Sequence, residues 1–124
     1  MNDSKTDKKL LGRSGEAAAA EYLKRKKYRI LGMNYTCRFG EIDIIAENRD
    51  YLVFVEVKQR KSGDFAAPRE FVNAAKQRRL IAAASLWLQQ NRTEKQPRFD
   101  VVEVYAPGGR AERINHIENA FEVN

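Results

Sequence analysis

One cysteine, Cys37, and one histidine, His116, are all that 124 residues supply of the softer donor side chains. A lone cysteine excludes an intramolecular disulfide and a Cys-based zinc site, and it gives no sign of an oxidising compartment; a reducing cytoplasm is the expected location. Cys37 lies beside Arg38 but has no histidine or second cysteine near it in sequence, so a nucleophilic role is not expected. His116 has no partner nearby in sequence to make it a base and reads as structural. Long apolar runs are missing too, and Met1 to Lys9 is polar and charged, so neither secretion nor membrane insertion is expected. Internal repeats and low-complexity linkers are likewise absent.

What is present is charge of both signs with a basic excess. A formal net charge of +6 and a pI near 9.6 favour a polyanionic partner such as nucleic acid. A hydrophobic content of 43% suffices for one core, so the expectation is a single domain over residues 1–124 with residues 1–9 as a flexible tail.

The alanine-rich stretch Leu10–Lys27, with Tyr22 and Leu23 at helical spacing, reads as an amphipathic helix. Its basic run Lys24-Arg25-Lys26-Lys27 is best read as a solvated end that complements the helix dipole. Strands are expected over Tyr28–Tyr35, Glu41–Glu47 and Leu52–Lys58, the last two forming a hairpin that turns at Asn48–Tyr51. Pro68 suits the first turn of a second helix over Arg69–Asn91, with Trp87 and Leu88 at its buried end. Strands at Arg98–Tyr105 and Arg113–Glu118, separated by a turn at Pro107-Gly108-Gly109, complete the order α-β-β-β-α-β-β. Phe54, Phe71, Trp87 and Phe99 fall at core spacing. The fold class is α/β, a mixed sheet flanked by helices.

Hairpin register makes the sequence chemically specific. A turn at Asn48–Tyr51 puts Glu47 opposite Leu52 and Ile45 opposite Phe54, so Asp43 falls opposite Glu56. Opposed side chains stand roughly 4.5–5.5 Å apart at Cβ. At an effective dielectric near 20 two such carboxylates repel by roughly 3 kcal/mol, more than a favourable cross-strand pair supplies. Some cation, or a proton, must compensate. Lys58 two residues on, another basic neighbour, a raised carboxylate pKa or a bound divalent metal would each serve; carboxylate and carbonyl oxygens suit Mg²⁺ or Mn²⁺. Glu41, which shares the face of Asp43, is expected to form a structural ion pair with Lys58, with support of a bound metal from outside its direct ligands as the alternative. Glu16, spaced with Ala19, Ala20 and Leu23, lies on or beside the sheet-facing stripe of the first helix.

Asp43 followed across a hairpin by Glu56-Val57-Lys58 resembles the D…(D/E)-x-K pattern of the PD-(D/E)XK nuclease superfamily. More narrowly, Gly12-x-x-Gly15-Glu16-x-x-Ala19, Gly40-Glu41-Ile42-Asp43, Phe54-Val55-Glu56-Val57-Lys58-x-Arg60, Arg98-Phe99-Asp100-Val101-Val102 and the closing Asn119-Ala120-Phe121 resemble the YraN-like family of small bacterial proteins, almost end to end. Ile42 stands where the superfamily's name has proline, a departure that leaves the acids and the lysine in place. The resemblance implies a restriction-endonuclease-like fold similar to that of archaeal Holliday-junction resolvases. It implies a metal held by Asp43, Glu56 and the carbonyl of Val57, with Glu16 completing the catalytic set. Lys58 would stabilise charge on a phosphate attacked in line by water.

Arg38, Arg60, Lys61, Lys76, Arg78 and Arg79 flank this site and are candidate nucleic-acid contacts. The leading expectation is a metal-dependent DNA endonuclease, with branched or recombining DNA as the substrate suggested by resemblance and a homodimer as the form that would cut paired strands. Two alternatives stay open: a nucleic-acid-binding module with little cleavage of its own, and a small protein-interaction subunit. For the acids themselves the alternative is a salt-bridged strand cluster in which Lys58 neutralises both.

Overall fold

In the computed structural model, residues 4–60, 72–107 and 113–122 are described, with side chains from residue 15 onward. The elements are α1 (Ser4–Arg25), β1 (Arg29–Cys37), β2 (Gly40–Glu47), β3 (Tyr51–Arg60), α2 (Ala74–Gln90), β4 (Gln96–Tyr105) and β5 (Arg113–Phe121). This is the expected α/β order. The strands form one sheet in sequence order, β1-β2-β3-β4-β5; only the β3–β4 pair is parallel. Parallel neighbours need a long crossover, and α2 supplies it.

Each helix covers one face of the sheet. Ala19, Ala20 and Leu23 of α1 pack on Ile44, Ala46, Val53, Val55, Val102 and Val104. On the other face Leu80, Ala83 and Ala84 of α2 pack on Ile42, Ile45, Leu52, Phe54, Phe99 and Val101. Alternate residues of the central strands therefore feed two cores, which is why these strands read as near-continuous apolar runs. The Trp87 ring stands edge-on to Phe54 at a centroid distance of 5.9 Å.

Both helix ends that face the sheet are closed by local hydrogen bonds. Lys27, at φ 69°, turns the chain out of α1 while Tyr28 N–H bonds to Leu23 C=O and Lys27 N–H to Lys24 C=O. That is a Schellman arrangement, sealed by the buried contact cluster that holds both Leu23 and Tyr28. At α2 the Asn73 side chain accepts from Lys76 N–H, an N-cap that fixes the start of the helix at Ala74.

Several boundaries move from their sequence-based positions. The helix expected from Leu10 starts at Ser4, taking in residues 4–9 of the expected tail. The helix expected from Arg69 starts at Ala74, because Asn73 caps it there. Pro68, Phe71, Lys61 and the Gly108-Gly109 turn lie outside the described residues. No helix among the described residues is long and apolar enough to cross a membrane.

Candidate functional site

The β2–β3 hairpin keeps the register read from sequence, with Glu47 paired to Leu52 and Ile45 to Phe54, but its ladder stops at Ile44–Val55. Asp43 and Glu56 are therefore not a ladder pair standing on one face, as the extrapolated register required. Alternation is already broken in β2, since Ile42 and Ile45 enter the α2-side core and Ile44 the α1-side core. Asn34, on the adjacent stretch of β1, has φ 54°. The strands part here, and the Asp43 carboxylate takes the Val57 amide proton at 2.8 Å. Glu56 instead meets α2: its Oε1 accepts from Lys76 Nζ at 2.5 Å and lies 3.7 Å from Lys58 Nζ.

The two acids nevertheless share one cleft. Gly40, Glu41, Asp43, Glu56, Lys76, Arg79 and Leu80 line a cavity of about 230 Å³. From the α1 side Glu16 approaches, and one carboxylate oxygen from each of Glu16, Glu41 and Asp43 can lie within 4.8 Å of the others. Glu41 thus turns toward the acids. Its expected pairing with Lys58 does not form, because Lys58 pairs with Glu56.

Electrostatics separates the acids. Burial and then the negative charge of Glu56 push the Asp43 carboxyl up to about 7; Glu16 and Glu41 add to this, and the Val57 hydrogen bond opposes it. Among the described residues no ion pair engages Asp43. Burial works against the charge of Lys76, but the hydrogen bond to Glu56 outweighs it and raises its pKa. Lys58 goes the other way, lowered by burial and by the neighbouring Lys76. The repulsion anticipated from sequence is thus met by lysines at Glu56 and accompanied by a raised carboxyl pKa at Asp43.

The flanking cations divide by location. Arg38 is exposed and stacks over the Phe39 ring at 4.8 Å; Arg78 and Arg79 are exposed on α2, with Arg79 at the cleft. Arg60 is engaged elsewhere, its Nε bonded at 2.8 Å to the fully buried Glu103, which also accepts from Asn115. Lys76, proposed from sequence as a phosphate contact, sits on the acid itself.

Sequence reasoning missed a second polar cluster. Asp100, 1% exposed, accepts a bidentate pair from Arg98, a short contact from His116 Nε2 at 2.6 Å and the Asn119 amide. Burial disfavours its charge, but these donors outweigh burial and hold its carboxyl below the usual range. Arg98 also donates to Tyr28 Oη, and His116 Nδ1 meets Tyr22 Oη at 3.2 Å. His116, which has no partner nearby in sequence, finds Asp100 and Tyr22 at distant positions. The available signal was the Arg98-x-Asp100 spacing, which puts opposite charges on one face of an otherwise apolar strand.

Residues 15–104 match a family described as "Uncharacterised protein family UPF0102". Similar proteins include one from Symbiobacterium thermophilum, 51% identical over 90% of this chain and 95% of its own. The protein of Caldanaerobacter subterraneus subsp. tengcongensis is 44% identical over 94% of this chain and 98% of its own. That of Geobacter sulfurreducens is 44% identical over 93% and 91%. Each is described only as a UPF0102 protein.

Proposed function

The chain belongs to the UPF0102, or YraN-like, family, and from its acidic cleft we propose that it is a divalent-metal-dependent nuclease acting on DNA. One observation carries this reading: Asp43 shares a cleft with Glu41 and Glu56 and lies close to Glu16, and burial together with the charge of Glu56 pushes its carboxyl up to about 7. Carboxylates that repel one another in this way are the arrangement a divalent cation relieves.

The donor set fits such an ion. Glu16, Glu41 and Asp43 bring three carboxylate oxygens together and Glu56 lines the same cleft, all hard oxygens that suit Mg²⁺ or Mn²⁺ over softer metals; the carbonyl of Val57 is a ligand by resemblance alone. When bound, the ion would supply Lewis acidity to a phosphodiester and lower the pKa of a nucleophilic water. The chain's own residues do the rest. The Val57 amide orients Asp43, Lys58 offers an ammonium to developing phosphate charge, and Arg79 at the cleft, with Arg78 beside it on α2 and the exposed Arg38, would neutralise a sugar-phosphate backbone. Branched DNA as substrate and a two-fold homodimer as the cutting form are part of the same proposal.

A second reading, a binding module with little cleavage, is favoured by the two lysines that already satisfy Glu56. Labelled duplex, single-stranded and four-way-junction DNA incubated with Mg²⁺, Mn²⁺ or EDTA separates the two. Metal-dependent cutting that disappears in Glu56→Gln supports the nuclease and ranks its substrates. Binding without cutting under every condition moves the protein to the second reading.

A further inference from the structure

Glu56 presents one oxygen, Oε1, to two ammonium groups, Lys76 Nζ at 2.5 Å and Lys58 Nζ at 3.7 Å. Only the nearer makes a hydrogen bond. Lys76 reaches Glu56 from a different element, standing on the first turn of α2 with its own amide held by the Asn73 cap. Its side chain keeps 30% of its exposure while that of Glu56 keeps 9%. The acid is therefore fixed and buried in the sheet, and the cation is a long, partly solvated stem able to leave.

The geometry points to Lys76 as a displaceable counter-ion, whose ammonium occupies the Glu56 oxygen that a divalent metal would take, so that metal enters this cleft by exchange with Lys76. This rests on the metal reading above and adds the device that sets its affinity. An ammonium and a divalent cation cannot both lie against one carboxylate oxygen without strong repulsion, so entry of the metal expels Nζ. The expelled group remains tethered at the mouth of the cleft beside Arg79, where phosphate would arrive. Without metal the same lysine keeps a buried acid from standing unpaired.

Mn²⁺ binding to the purified protein, followed by calorimetry at pH 7.5 without nucleic acid, is the direct test, using wild type, Lys76→Met, Lys76→Gln, Arg92→Gln and Asp43→Asn. Removing the competitor should tighten Mn²⁺ binding about ten-fold or more in both Lys76 variants, whereas Arg92→Gln, which removes the same charge at an exposed position just past the end of α2, should change it by about two-fold or less. Mn²⁺ affinity unchanged or weakened in both Lys76 variants, with binding still lost in Asp43→Asn, overturns the exchange and leaves the metal site standing. No Mn²⁺ binding by any of the proteins overturns both. A second readout needs no substitution at all: reductive methylation of wild type, read peptide by peptide in the mass spectrometer, should run several-fold faster at Lys76 once Mn²⁺ is added. An unchanged Lys76 rate in protein saturated with Mn²⁺ also overturns the exchange.

Discussion

The Asp43 carboxylate accepts the Val57 amide proton at 2.8 Å, where the β2–β3 ladder has already ended. A side chain thus takes the place of a main-chain acceptor, and the strand opening that creates the cleft leaves no orphaned amide at Val57. The same bond holds Asp43 facing the other acids.

In metal-free protein Asp43 should make stability fall with rising pH. Its carboxyl titrates near 7 in the fold against an ordinary 3.8, so its favourable contribution is complete below 3.8 and is lost as pH rises through 7. Asp43→Asn mimics the protonated form. Urea denaturation in EDTA should show the variant more stable than wild type by about 2 kcal/mol or more at pH 8, by roughly half as much at pH 5, and nearly equal to it only near pH 3.5. Equal stability at pH 8 would mean that Asp43 is not repelled by its neighbours.

Asp100 should behave with the opposite sign. Its carboxyl is held below 3.8, so its contribution is present above that value and is lost as pH falls through the depressed one. Asp100→Asn should cost about 3 kcal/mol at pH 7, since it leaves Arg98 buried without its counter-charge. The gap should narrow in acid, below pH 3.8. Urea curves at pH 7 and pH 3 decide it.

Lys58→Ala should leave Mn²⁺ affinity within about three-fold of wild type while lowering cleavage by about a hundred-fold, the loss typical of one oxyanion-stabilising group. Single-turnover rates at saturating metal measure it. A wild-type rate in the variant would remove Lys58 from the chemistry.

Arg78→Glu with Arg79→Glu should weaken duplex DNA binding and reduce the slope of log affinity against log salt by about two. Fluorescence anisotropy between low and moderate salt is sufficient. An unchanged slope would make that face of α2 merely solvated.

Much of this could be seen in the residues alone, for reasons that differ by element. The hairpin was legible because alternation and turn chemistry fix register locally, and Glu47–Leu52 and Ile45–Phe54 pair accordingly. The Asp43–Glu56 pairing failed because an extrapolated register cannot anticipate where a ladder stops or where alternation breaks, as it does between Ile42 and Ile44. Lys76 was noticed only as a cation on a helix face; that it reaches Glu56 depends on how α2 sits on the sheet, which no local pattern specifies. Glu41 was assigned the wrong partner for a similar reason. The Asp100 cluster draws on Tyr22, Tyr28, Arg98, His116 and Asn119, residues too far apart in sequence for spacing to connect them.

The bond between Tyr22 and His116 joins side chains 94 positions apart, one in the first helix and the other in the last strand. A ribosome delivers Tyr22 long before His116, so α1 gains this anchor only after β5 has emerged. Glu16 rides on α1 and reaches Glu41 and Asp43 only when that helix is docked. A nascent chain therefore carries these acids unassembled until α1 has docked on the strands that follow it.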